Sequence, residues 1–244
     1  CMLLGSVAFV MSMFYVLNHE DGDIKRYSWE VVSRSICTFV GVLIGLSCNS
    51  FLASAIGPSP SFLMMEVVQV LSVLGWHLVL SLTLAYVSGA VGDNPPKTVE
   101  GMILNMKCFA VLLGMVTGAS QMVLWGMIQQ SVPRTIFATA LVVPAAALVL
   151  KGLFAVAQAW RERIWLSDDG LKDGYEEVWD KYTLQTEDGA ASLCLAHLVV
   201  QVCRFHVCGE LPLAGGQLAA GYKPGPFEAA AMAALAIVFA AFLP

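Results

Sequence analysis

Four side chains within the long apolar runs of this sequence are of types that can bind a cofactor. His77 lies midway along the third run, directly after Trp76, and a neutral imidazole there can ligate a haem iron or a chlorophyll magnesium. The alternative, which is more frequent, is a histidine that hydrogen-bonds to a neighbouring helix and binds no cofactor. Gln69, Asn105 and Gln121 carry side-chain oxygens that could ligate a pigment. The predicted cofactor-binding set is therefore His77, Gln69, Asn105 and Gln121.

The sixth apolar run contains the densest group of metal-capable side chains. Cys194, His197 and Gln201 share one helical face at spacings of three and four residues. Two cysteines and a histidine follow at positions 203, 208 and 206. Neither spacing matches a zinc motif or a haem-attachment motif. We predict no metal centre here and retain His197 as a further candidate cofactor ligand.

Sequence motifs of enzymes and of nucleic-acid-binding proteins are missing. The chain has no nucleophile elbow, phosphate loop or metalloprotease helix, and no pair of carboxylates within an apolar run. We therefore predict that it is not an enzyme. The net charge is −5, and the basic residues form no cluster, so the basic surface that binds nucleic acid is also missing.

The composition predicts the elements that position these residues. Hydrophobic residues make up 58% of the 244 residues and charged residues 13%, against roughly 45–50% and about 25% in a soluble domain. The mean hydropathy is +0.73, and apolar segments in hydrocarbon must be helical to satisfy their backbone. We predict an all-α fold: one transmembrane helix bundle over residues 1–244 with about seven spans. The predicted spans are 2–18, 33–56, 62–90, 102–129, 135–158, 190–207 and 228–243.

The basic residues predict how these spans are oriented. Ten of the 13 Lys and Arg residues fall on one side of the seven predicted spans: Lys25, Arg26, Arg34, Lys97, Lys107, Lys151, Arg161, Arg163, Lys172 and Lys181. Arg134, Arg204 and Lys223 fall on the other side. This asymmetry is what the positive-inside rule describes, so the first side should face the cytoplasm, stroma or matrix.

One polar segment, residues 166–189, interrupts the apolar runs on that positive side. It contains a stripe at helical spacing, Leu171, Tyr175, Val178, Trp179 and Tyr182, which predicts a short amphipathic helix within a polar loop. Its acidic polar face should be repelled by anionic headgroups. We expect Tyr175, Trp179 and Tyr182 to contact another membrane protein subunit, with folding back onto the chain's own bundle as the alternative.

Two further patterns concern packing and transport. Small residues at a spacing of four, Gly41 with Gly45, Gly114 with Gly118, and Ala229 with Ala233, predict close helix contacts. Transporters usually keep ionisable residues at mid-membrane, and the centres of these spans contain almost none. Pro144 and Lys151 in the fifth run are the candidates for lining a pathway.

Two segments resemble a known group of proteins. The first is NHEDGDIKRYSW at 18–29, which runs into SRSI at 33–36; the second comprises QVCRF at 201–205 and GELP at 209–212. Together they frame about residues 14–212 and resemble uncharacterised multi-span membrane proteins of dinoflagellate algae. The resemblance implies a lineage and assigns no catalytic or binding residue.

These observations lead to one expected function and one alternative. We expect a non-catalytic accessory subunit of a large organellar membrane complex, surrounded by lipids and other subunits. A photosynthetic complex of the plastid thylakoid comes first and a respiratory complex of the mitochondrial inner membrane second. In the photosynthetic case chlorophyll or carotenoid would be the cofactor. The alternative is a channel or secondary transporter with its pathway near Pro144 and Lys151.

Overall fold

The computed structural model describes residues 2–56, 61–90, 99–168, 173–216, 222–223 and 225–241. Within these ranges the chain forms helices and no strand. The helices are α1 (Met2–Leu17), α2 (Gly22–Ile56), α3 (Phe62–Ser88), α4 (Val99–Ser131), α5 (Ile136–Asp168), α6 (Gly174–Cys208) and α7 (Pro226–Ala241). The prediction of an all-α bundle is confirmed.

Five of the helices, α2 to α6, are long and apolar enough to cross a membrane. At about 1.5 Å per residue each exceeds the roughly 30 Å of hydrocarbon in a bilayer. The helices α1 and α7 are apolar but have 16 residues each. The outer surface also exposes large apolar side chains such as Phe39, Phe51 and Leu148. The chain is an integral membrane protein.

Two helices begin well before the apolar runs that predicted them. α2 begins at Gly22 and α6 at Gly174, because an aspartate at each start, Asp21 or Asp173, accepts from a free amide of the first turn. Asp173 caps α6: its Oδ1 accepts from the Glu176 amide at 2.8 Å, and Glu176 Oε2 accepts from the Asp173 amide at 3.0 Å. Of the polar stretch 166–189, residues 174–189 are therefore the first half of α6 and residues 166–168 end α5, whereas a separate short helix was expected.

The amphipathic stripe on this half of α6 packs against the chain's own bundle. Trp179 is fully buried in a cluster with side chains of α3 and α4, and Tyr175, Val178 and Tyr182 pack against that cluster while partly exposed. Leu171 lies outside the described residues. Trp179 therefore packs within the chain's own bundle, as the folding-back alternative describes, and the contact of the partly exposed Tyr175 and Tyr182 with another subunit stays a prediction.

α4 is the central helix of the bundle. A Cβ on Gly41 would lie 2.8 Å from Met115 Cβ, and one on Gly118 would lie 2.9 Å from Leu193 Cδ2. The predicted close contacts are thus confirmed for two pairs: Gly41/Gly45 lies between α2 and α4, and Gly114/Gly118 lies between α4 and α6. Both alanines of the third pair, in α7, are exposed, so that pair makes no close contact among the described residues.

Successive helices run in opposite directions. Residues near the start of α2 meet residues near the start of α4, as in the ion pair between Glu30 and Lys107, whereas Gln69 near the start of α3 meets Ser120 late in α4. Arg161 near the end of α5 meets Glu187 in the first half of α6. One end of the bundle therefore carries the starts of α2, α4 and α6, which agrees with the predicted basic side. Lys97 and Lys172 lie outside the described residues.

Candidate functional site

A polar group in the bundle interior contains two of the predicted cofactor ligands. His77 of α3 is 7% exposed and Gln121 of α4 is fully buried. The His77 Nε2 atom lies 2.7 Å from Gln121 Nε2, at hydrogen-bond distance. The His77 ring also packs on Phe154 of α5, with the ring centroids 5.6 Å apart. The imidazole therefore links three helices.

Gln69 continues this polar group along the interface between α3 and α4. Its Nε2 donates to the Ser120 carbonyl at 3.1 Å and lies 3.3 Å from both Ser120 Oγ and Asn49 Oδ1. Ser72 Oγ lies 3.2 Å from Ser120 Oγ. Gln69, Asn49, Ser72 and Ser120 thus form a hydrogen-bonded seam that joins α2, α3 and α4, and Gln121 follows Ser120 in the sequence.

This geometry favours helix–helix bonding by His77 over ligation. The Nε2 atom, one of the two ring nitrogens that can ligate a metal, lies at hydrogen-bond distance from Gln121 Nε2. Within the described part of the chain, Gln121 Oε1 and Thr117 Oγ1, one helical turn apart on α4, are buried oxygens without a hydrogen-bond partner. A bound water or a ligand's donor group would stabilise these oxygens, because an unpaired buried acceptor costs about 1–3 kcal/mol.

The other two predicted ligands lie elsewhere. Asn105 is exposed on the outer side of α4. His197 of α6 is hydrogen-bonded to the Ala214 carbonyl at 3.2 Å and to Gln201. Arg204 donates to the Gly216 carbonyl at 2.7 Å from the same helix. His197 and Arg204 therefore hold the segment after α6 against the bundle.

The metal-capable cysteines and histidines of α6 do not converge. Among the described residues no group of three or more His, Cys, Asp or Glu side chains is placed to hold a metal ion. Cys194 is buried and His206 is exposed, so these two side chains point in different directions from the helix.

A buried ion pair between α5 and α6 was missed in the sequence. Arg161 and Glu187 side chains are each 1% exposed, and Arg161 Nη1 lies 2.8 Å from Glu187 Oε1 while Nη2 lies 3.2 Å from Oε2. Asp180 Oδ1 lies 3.3 Å from Arg161 Nε. The arrangement is bidentate and geometrically specific. The signal available was the spacing of seven residues between Asp180 and Glu187, which puts both acids on one face of a helix.

The residues proposed to line a transport pathway face outward. Pro144 and Lys151 are both exposed on α5, and Leu148 between them is 73% exposed. Within the described residues, then, these two side chains do not enclose a channel in this bundle. Comparison of the chain with protein-family models, with curated proteins and with solved structures found no match.

Proposed function

We propose that this chain is a non-catalytic accessory subunit of a large organellar membrane complex, photosynthetic rather than respiratory. The observation that carries the proposal is the small share of α2 that the chain itself covers. Of the 35 residues of α2, only Gly41 and Gly45 are buried. A helix that contacts its own bundle along so narrow a stripe leaves most of its surface for lipid or for a neighbouring subunit.

The surroundings of α2 favour a neighbouring protein. Two apolar grooves flank the helix: one of about 650 Å³ against α1, lined by Phe9 and Val31 among others, and one of about 740 Å³ against α3, lined by Phe51 and Trp76. Grooved apolar surfaces with aromatic linings accept side chains of a partner helix, since membrane helices associate by close packing. α1 packs mainly on α2, so the two helices form an arm at the side of the bundle.

The interior supports a static role rather than transport or catalysis. His77, Gln69 and Arg161 each hydrogen-bond or pair with a side chain of another helix. Such bonds fix helices relative to one another. The organelle and the photosynthetic assignment both rest on the resemblance to dinoflagellate membrane proteins, whereas the basic asymmetry bears only on orientation.

Blue-native electrophoresis of mildly solubilised native membranes tests the proposal. We expect the chain to migrate in a large assembly, and pigment in that band would separate a photosynthetic complex from a respiratory one. Migration of the chain alone, at the size of its own detergent micelle, would contradict the proposal.

A matched pair of variants tests the role of α2. Phe39 and Leu46 on α2 are 66% and 57% exposed, and Leu141 and Leu148 on α5 are 57% and 73% exposed. Truncating a hot-spot side chain of an interface weakens association by about tenfold or more, and Phe39 and Leu46 are the large side chains that we place at the centre of this one. We therefore expect Phe39→Ala with Leu46→Ala to release the chain from the assembly, and Leu141→Ala with Leu148→Ala to leave it in place. Equal behaviour of the two variants would argue against an interface on α2.

A further inference from the structure

A cleft of about 270 Å³ lies between α2, α4 and α6, away from the polar group around His77. Arg34 and Lys107 line one part of it, and Gly114 and Gly189 line another. Gln185 and Gly189 are exposed, so the cleft opens on the outside of the bundle. It is too small for a whole phospholipid, and any lipid bound there must extend onto the outer surface.

The basic part of the cleft carries an excess positive charge. Glu30 Oε1 lies 2.9 Å from Arg34 Nη2 and 3.1 Å from Lys107 Nζ, so one carboxylate holds two cationic side chains together. Two positive groups and one negative group leave a single positive charge. Tyr182 and Gln185 add neutral hydrogen-bonding groups to the lining. One singly charged phosphodiester matches this set in both charge and hydrogen bonding.

The remaining lining is apolar and extends toward the middle of the membrane. From Lys107 to Gly114 along α4 is seven residues, or about 10 Å at the rise of an α-helix. Ala110, Val111 and Met115 line that stretch on α4. Gly189 on α6 has no atom within 4 Å of where its Cβ would lie. The cleft thus offers a narrow apolar channel below a cationic mouth.

The position of the mouth fits the side of the membrane where anionic lipid is recognised. Arg34 and Lys107 lie near the starts of α2 and α4, on the side that carries most of the basic residues. Basic pockets between transmembrane helices on the cytoplasmic or matrix side bind anionic headgroups. We propose that this cleft binds an anionic phospholipid, with its phosphate against the cleft side of Arg34 and Lys107, beside the Glu30 carboxylate that bridges them, and the beginning of one acyl chain along Gly114 and Gly189.

Native mass spectrometry of the whole chain in mild detergent tests this proposal, with phosphatidylglycerol and phosphatidylcholine as probes. We expect one phosphatidylglycerol to be retained and phosphatidylcholine to be lost. Arg34→Gln should weaken phosphatidylglycerol binding about fivefold, because a basic residue at the interface contributes about that factor. Arg163→Gln is the control, since Arg163 is an exposed basic residue near the end of α5 and does not line the cleft; it should bind as the parent does.

Gly189→Leu separates binding from folding. Leucine is a better helix former than glycine, so this change should not impair folding of α6. The leucine side chain would enter the open space of the cleft. We expect a chain that is folded and no longer retains the lipid. Excess inorganic phosphate should not displace the lipid, because phosphate makes no use of the apolar lining. The proposal would be overturned if the parent retained the two lipids equally, or if Arg34→Gln and Gly189→Leu bound phosphatidylglycerol as the parent does. It would also be overturned if Arg163→Gln lost as much binding as Arg34→Gln, or if phosphate displaced the lipid.

Discussion

The ion pair of Arg161 with Glu187 is the residue-scale feature with the clearest energetic consequence. Both side chains are almost wholly buried and joined by two hydrogen bonds. Removal of Arg161 leaves the buried Glu187 carboxylate without its guanidinium, and removal of Glu187 leaves Arg161 with only the partly exposed Asp180. Such a loss costs about 3–5 kcal/mol, whereas replacing both partners by apolar residues of similar size is often neutral. Asp180, at 25% side-chain exposure, is partly hydrated and should contribute less.

We therefore expect Arg161→Met and Glu187→Met to destabilise the protein strongly as single changes, and the double change to recover most of that loss. Unfolding in mixed detergent micelles, followed by circular dichroism, measures the free energy of unfolding of each chain. Asp180→Asn serves as the control and should cost about 1 kcal/mol or less, as for exposed pairs. A double variant as unstable as the sum of the two single ones would show that the side chains act independently.

What the sequence could predict at this scale was the type of residue rather than its partner. His77 was singled out as an uncommon polar group in an apolar run, and the structure gives it a bond to Gln121 of another helix. Arg161 was counted only among the ten basic residues on one side of the predicted spans. Its pairing depends on which faces of α5 and α6 pack together, and neither residue spacing nor hydropathy specifies those faces.

At the scale of the element, close approach between helices depends on particular glycines. A Cβ on Gly41 would lie 2.9 Å from the Leu112 carbonyl oxygen and 2.8 Å from Met115 Cβ, and neither atom is the end of a flexible chain. A Cβ on Gly75 or Gly152 would instead point into open space. The same substitution should therefore have opposite effects at these positions.

We expect Gly41→Ala to push α2 away from α4 at a cost of about 1–3 kcal/mol, as for other overpacked contacts. Gly75→Ala and Gly152→Ala should be neutral or stabilising by about 0.5–1 kcal/mol, because alanine is the better helix former. Thermal unfolding in detergent compares the three variants with the parent. If Gly41→Ala were as stable as the two controls, the close packing of α2 on α4 would be refuted.

The helix ends show which part of an element hydropathy can detect. The apolar centres of α2 and α6 were predicted, but the helices begin at Gly22 and Gly174, well before the predicted starts at residues 33 and 190. Hydropathy reports the portion in hydrocarbon, while the helix continues wherever its backbone bonds and cap allow. For α6 the local signal existed: Asp173 followed three residues later by Glu176 is the pattern of a capping box.

For the whole molecule, the alternating helix directions and the basic asymmetry lead to one membrane orientation. Asp23 at the start of α2 and Glu162 near the end of α5 should share a side, and Arg134, between α4 and α5, should lie on the other; all three side chains are exposed.

In sealed vesicles of one orientation, we expect a membrane-impermeant maleimide to label Asp23→Cys and Glu162→Cys from the same side. Arg134→Cys should be labelled only from the opposite side or after permeabilisation, with the parent's native cysteines as background. Labelling of Glu162→Cys and Arg134→Cys from one side would mean that α5 does not cross the membrane, and the positive-inside assignment of the bundle would fail with it.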